Sequence, residues 1–69
     1  MRYAVVIEKA EGNYSAYVPD LPGCVAVAET KREVKSLIRE AIRMHVEDLR
    51  ARGQPIPKPT AASEFVPLT

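Results

Sequence analysis

The stretch Tyr14–Ala28, reading YSAYVPDLPGCVAVA, decides how the rest of the sequence is read. Two apolar runs, Tyr14 to Val18 and Cys24 to Ala28, flank a segment holding two prolines, a glycine and an acid, and the second run opens with the chain's single cysteine. Pro19 and Pro22 fix φ and withhold two amide donors, so a strand ladder cannot continue between the runs. Gly23 permits positive φ or a close backbone approach. Asp20 carries the short acceptor with which turn aspartates bond neighbouring amides. The segment therefore predicts a rigid corner that ends one strand and aims the next, with recognition by a preformed loop as its second use.

Upstream, Arg2 to Glu8 (RYAVVIE) is rich in residues that favour a pleated surface. Glu11-Gly12-Asn13 is a turn signal, and the short connection to Tyr14–Val18 predicts a hairpin. With Cys24–Ala28 this gives three short strands in an antiparallel meander. Downstream, Thr30-Lys31-Arg32-Glu33 has the S/T-x-x-E capping-box pattern that opens a helix. The helix is expected over about 31–52, with an apolar stripe at Val34, Leu37, Ile38, Ala41, Ile42, His45 and Leu49. Gly53 stands where a left-handed residue ends a helix, and Arg50 and Arg52 suit its negative end. Pro55, Pro57 and Pro59 then alternate, which predicts an extended connector over 53–60. Glu64 to Leu68 has strand character, and Pro67 would confine it to an edge. The fold class is α+β: a three-stranded meander, one amphipathic helix and a short fourth strand, in a single domain over residues 1–69.

A chain of 69 residues buries only about 60% of the surface that its unfolded form exposes. One cysteine makes no internal disulfide, and one histidine with one cysteine cannot complete a structural zinc site. Oligomerisation is the remaining aid to stability. The pattern points the same way. Strand one is apolar on both faces, with Tyr3, Val5 and Ile7 against Ala4 and Val6. Strand three repeats this, with Cys24, Ala26 and Ala28 against Val25 and Val27. A sheet wet on one face alternates apolar and polar residues; this one does not, and a single helix covers one face only. A second copy of the chain, a protein partner, or both should cover the other.

Ten basic and nine acidic side chains give a net charge of +1, too balanced for direct nucleic-acid binding. No apolar run approaches the roughly 20 residues that span a bilayer, so no membrane contact is expected. No signal-peptide pattern appears, and a lone cysteine fits a reducing compartment, so the chain reads as soluble and cytoplasmic.

Catalytic chemistry finds little support. Cys24 has no activating cation nearby and reads as a buried small hydrophobe. His45 lies on the apolar stripe, and only Asp48 stands at a helical spacing from which to orient it. Glu8, Glu11, Asp20, Glu47 and Asp48 are the acids from which a two-metal nuclease site would have to be drawn, and a third inward acid is hard to place. Arg32, Arg39, Arg43 and Arg50 form a row beside Glu33, Glu40 and Glu47, which reads as a self-neutralised ladder. No catalytic, cofactor or metal residue is assigned, and the chain reads as a non-enzyme.

The order RYAVVIE, Glu11-Gly12, YSAYVPDLPGC, capped helix and GQPIPKPT resembles the HicB-like antitoxins of toxin–antitoxin systems. The aromatic-Val-Pro-Asp-Leu-Pro-Gly-Cys corner and the Gly-x-Pro-Ile-Pro-x-Pro element are its most specific pieces, and the likeness covers about residues 2–60. It implies a β-β-β-α-β fold similar to a truncated ribonuclease H. It also implies binding to a small HicA-like RNA-cleaving toxin, and assembly as dimers or higher oligomers. Longer members carry a C-terminal DNA-binding module that these residues lack. Tyr14, Tyr17, Asp20, Leu21 and Pro22 are the expected partner contacts, since turn-flanking aromatics make good anchors. The rival readings are a stand-alone oligomeric scaffold for another protein or small ligand, and a degenerate metal-dependent nuclease.

Overall fold

The structure is a computed structural model that describes residues 2–68. Strands β1 (Val6–Ala10), β2 (Asn13–Tyr17) and β3 (Val25–Ala28) form an antiparallel sheet in the order β1-β2-β3, and helix α1 (Lys31–Ala51) follows. The meander and the helix are as the sequence predicts. β1 starts later than expected, at Val6 rather than Arg2, because Val6 pairs with Tyr17 and the next residues of the partner turn away. A ladder needs a partner, and Pro19 ends this one. Residues 2–5 therefore serve packing instead: Tyr3 and Val5 lie against the core, and the Tyr3 hydroxyl donates to the Pro57 carbonyl.

The helix is bounded by local chemistry at both ends. The Thr30 hydroxyl accepts from the Glu33 amide at 3.1 Å and donates to the Glu33 carboxylate at 2.9 Å. Glu33 thus closes the box on the hydroxyl rather than on the Thr30 amide, and the first turn keeps its cap. At the other end Gly53 takes φ +68, its amide bonds the Arg50 carbonyl, and the Gln54 amide bonds the Leu49 carbonyl. Those two bonds are the Schellman pattern, which satisfies carbonyls the helix leaves open.

Residues directly opposite in a ladder share a face. Ile7, Ala16 and Ala26 form one such row, and Lys9, Tyr14 and Ala28 the next; both face α1. The buried core is Ala16, Val18, Leu21, Cys24, Val34 and Ile38, with Ala41, Ile42 and Val46 packed at its edge. Val46 belongs to the stripe although the sequence pattern passed it over, whereas Leu37, expected inside, is half exposed. The helix packs across β3 and β2 and leaves β1 at its margin.

Residues 54–68 have no regular secondary structure. The fourth strand expected over 64–68 does not form within the chain. Phe65, Val66 and Leu68 are exposed to 101%, 73% and 97%, so none is buried against the sheet or the helix. An apolar strand needs both a ladder partner and a face to cover, and this segment has neither here.

Leu21 is completely buried, while Leu37 has the same side chain half in water. Leu21→Ala is expected to lower unfolding free energy by about 2–5 kcal/mol. Leu37→Ala should cost under about 1 kcal/mol. Urea unfolding of both variants checks this, and equal losses would contradict the packing described.

Candidate functional site

The corner between β2 and β3 consists of two turns in series. The Leu21 amide bonds the Val18 carbonyl at 3.0 Å, and the Cys24 amide bonds the Leu21 carbonyl at 3.0 Å. A third bond, from the Val18 amide to the Cys24 carbonyl at 3.2 Å, closes the corner across its base. Pro19 and Pro22 each occupy the second position of a turn, where a fixed φ near −65° is preorganised. Gly23 follows Pro22 with φ +84, the backbone that a type II turn demands at its third position. Leu21 ends one turn and begins the next, and its side chain is driven into the core.

Asp20 points the other way. Its carboxylate accepts from the Thr60 amide at 3.0 Å, the Ala61 amide at 3.0 Å and the Thr60 hydroxyl at 2.7 Å. The acid caps no local turn; it clamps the returning connector forty residues away. The Ala61 amide and the Thr60 hydroxyl hold its carboxyl below the ordinary value against the opposing effect of burial, and the Thr60 amide adds a lesser part.

The five expected contacts do not form one patch. Leu21 is buried and unavailable to a partner, because the double turn turns it inward. Both Asp20 oxygens are engaged within the chain. Tyr14 is half buried on the helix side, with the Lys9 ammonium 5.9 Å from its ring centre. Tyr17 and Pro22 reach solvent.

Tyr17 lies on the opposite face of the sheet, and that face is the larger site. Val6, Tyr17 and Val25 form one cross-strand row there, and Glu8, Ser15 and Val27 the next. Tyr17 is 43% exposed, Val25 63% and Val27 60%, so three apolar side chains lie bare together. Among the described residues no further strand or helix covers that face. The absence of polar alternation in β1 and β3 was the signal for this face, although only Tyr17 of its residues was among the expected contacts.

The other chemical groups are placed less suggestively. Cys24 is buried, and burial pushes its thiol up, away from the reactive thiolate. His45 is half buried on the stripe. Among the described residues no three His, Cys, Asp or Glu side chains are grouped to hold a metal ion. No described helix is long and apolar enough to cross a membrane. The arginine row is only partly neutralised. Arg43 pairs with Glu40 and, at 3.2 Å, with Glu47, and Arg52 pairs with Asp48 at 3.2 Å. Among the described residues Lys31, Arg32, Lys35 and Arg39 make no ion pair, and they line one shallow basic cleft with Ser36.

A small α+β domain with an exposed apolar sheet face presents the kind of surface at which proteins meet. The chain belongs to the family described as the HicB-like antitoxin of bacterial toxin–antitoxin systems, which it matches over residues 3–67. It is 44% identical over 62 residues to a UPF0150 protein of Thermoplasma acidophilum, covering 88% of this chain and 90% of that protein. A UPF0150 protein of Synechocystis is 42% identical over 57 residues, 81% of this chain and 72% of the relative. A 14.9 kDa protein of Haemophilus phage HP1 is 32% identical over 66 residues, 96% of this chain but half of its own length.

A carboxyl whose folded pKa is lowered stabilises the fold fully above its unfolded value of about 3.9 and loses that effect as pH falls through the folded value. The clamp should therefore be intact at neutral pH and released in acid. The protection factors of the Thr60 and Ala61 amides, taken relative to intrinsic exchange at each pH, are expected to fall as pH drops below about 4, while the Leu21 and Cys24 amides keep theirs. In Asp20→Asn the two connector amides should be less protected at neutral pH and lack this acid transition. Protection that is independent of both pH and Asp20 would contradict the clamp.

Proposed function

We propose that this chain is an antitoxin that binds a small HicA-like RNA-cleaving toxin and blocks its access to RNA. Family membership supports the antitoxin role, and the bare sheet face carries the choice of surface. Val6, Tyr17, Val25 and Val27 supply an apolar patch with an aromatic anchor, the kind of centre at which interface energy concentrates. Exposed Pro22 sits at the rim, on a corner whose backbone is fixed in advance. A preformed patch binds without the ordering cost that a flexible loop would carry. Inhibition on this reading is steric and needs no residue of this chain to do chemistry. The single domain acts in the cytoplasm without a cofactor.

Self-association is the second part of the reading, and the tail supports it. Phe65 and Leu68 are almost wholly exposed in the isolated chain and Val66 largely so, which is costly for a domain with so small a core. A homo-oligomer that buries them resolves this.

Co-expression with a small RNA-cleaving protein encoded beside it should yield a stable complex and restore growth. Tyr17→Ala and Val25→Glu lie on the exposed face and should leave the fold intact. Each is expected to weaken that complex at least about tenfold, or about 1.4 kcal/mol, by calorimetric titration. A complex of unchanged affinity in both variants would move the interface elsewhere.

A further inference from the structure

The helix leaves β1 at its margin, and a groove opens between them. Tyr3, Val5, Ile7, Ile38 and Ile42 form its apolar floor, and its volume is about 470 Å³. Arg2, Lys35 and Arg39 stand on its rim, and none of the three is in an ion pair among the described residues. The groove borders the free edge of β1, the outer strand in the order β1-β2-β3. An occupant should thus be extended, apolar at several positions and acidic at one.

The chain carries such a segment. Glu64-Phe65-Val66-Pro67-Leu68 has three large apolar side chains, one acid and no packing of its own. Pro67 suits an added edge strand and no other strand position. Its own groove does not hold it, since Phe65 and Leu68 are fully exposed and Val66 largely so. The connector passes Tyr3, on the groove floor, at Pro57, and is then clamped to Asp20 at Thr60 and Ala61. Residues 61–68 contain no turn or bend that would lead the chain back.

We propose that the groove between β1 and α1 receives residues 64–68 of a second copy of this chain, each copy donating its tail to the other. The tail lies along the β1 edge, Phe65 and Val66 or Leu68 fill the apolar floor, and Glu64 meets the Arg2, Lys35 and Arg39 rim. Reciprocal exchange closes the assembly as a two-fold dimer, and main-chain bonds along an open edge are an established mode of segment capture. This rests on the self-association part of the proposed function and specifies where it occurs.

Light scattering on the full chain and on a chain ending at Ser63 provides the test. The full chain should be a dimer, and the shortened chain a monomer at the same concentration, with unchanged helix content by circular dichroism. A shortened chain that remains dimeric would overturn the groove assignment and leave self-association standing; a monomeric full chain would overturn both. Disulfide trapping separates the donor. Arg39→Cys and Phe65→Cys chains, mixed under oxidising conditions, should give a cross-linked species of twice the mass. If instead the two singles do not cross-link and the double variant closes only within one chain, the tail comes from the same copy and the exchange is refuted.

Discussion

Leu21 and Asp20 are neighbours that leave the same double turn in opposite directions, and both ends of the fold are tied through them. Leu21 enters the core beside Val34 and Ile38 and so fixes where the helix lies on the sheet. Asp20 leaves the core and takes up the Thr60 and Ala61 backbone. The two prolines hold the backbone so that neither side chain can exchange roles with the other. A cheaper loop, with glycines in place of prolines, would allow the same bonds but would lose more chain entropy on forming them. The corner is therefore the place where β2, β3, α1 and the connector are brought into a single arrangement.

A second constraint follows from size. One helix across three short strands makes two layers, and the structure is only 16 Å deep along its shortest axis. Such a domain has one interior and one exterior sheet face, and α1 covers β2 and β3 better than β1. Two apolar surfaces are left over as a consequence. One is the open face around Tyr17 and Val25. The other is the groove beside β1. Sequence pattern alone exposes the first, since β1 and β3 lack polar alternation. The second depends on where the helix axis settles, which no local pattern specifies.

The same distinction explains what could be read in advance. The helix was legible to within a residue because its limits are local: Thr30 with Glu33 at one end and Gly53 at the other. The corner was legible because Pro22-Gly23 prescribes its own backbone. The start of β1 was not, because Tyr3 and Val5 have strand chemistry but their ladder partner has already turned off at Val18. The role of Asp20 was missed for a related reason. Turn aspartates mostly bond nearby amides, and its partners here lie at Thr60 and Ala61. The 64–68 segment has strand composition yet forms no strand within the chain, since composition reports a liking for pleated surfaces and says nothing of whether the chain supplies one. Leu37 and Val46 show the limit of periodicity: both sit near the stripe, and the sheet's position selects one and leaves the other half exposed.

The two leftover surfaces lie on opposite sides of the sheet, and this bears on how they can be used. Val6, Tyr17, Val25 and Val27 face away from α1, whereas Ile7 and the Ile38–Ile42 side of the helix line the groove. Contacts on one side do not obstruct the other. A copy seated along β1 would leave each open face free, so two partner sites would be presented by one rigid body. The basic rim of Lys35 and Arg39 would be screened by an acidic tail residue, which removes unpaired cations from the surface nearest the helix start. The two rows of the open face that cross all three strands hold Glu8 as their one charged residue, so the centre of that face is apolar. On the proposed reading, charge would serve assembly on one side and apolar area would serve partner binding on the other. A domain with so few residues can offer two separate surfaces because a single thin sheet keeps them on opposite faces.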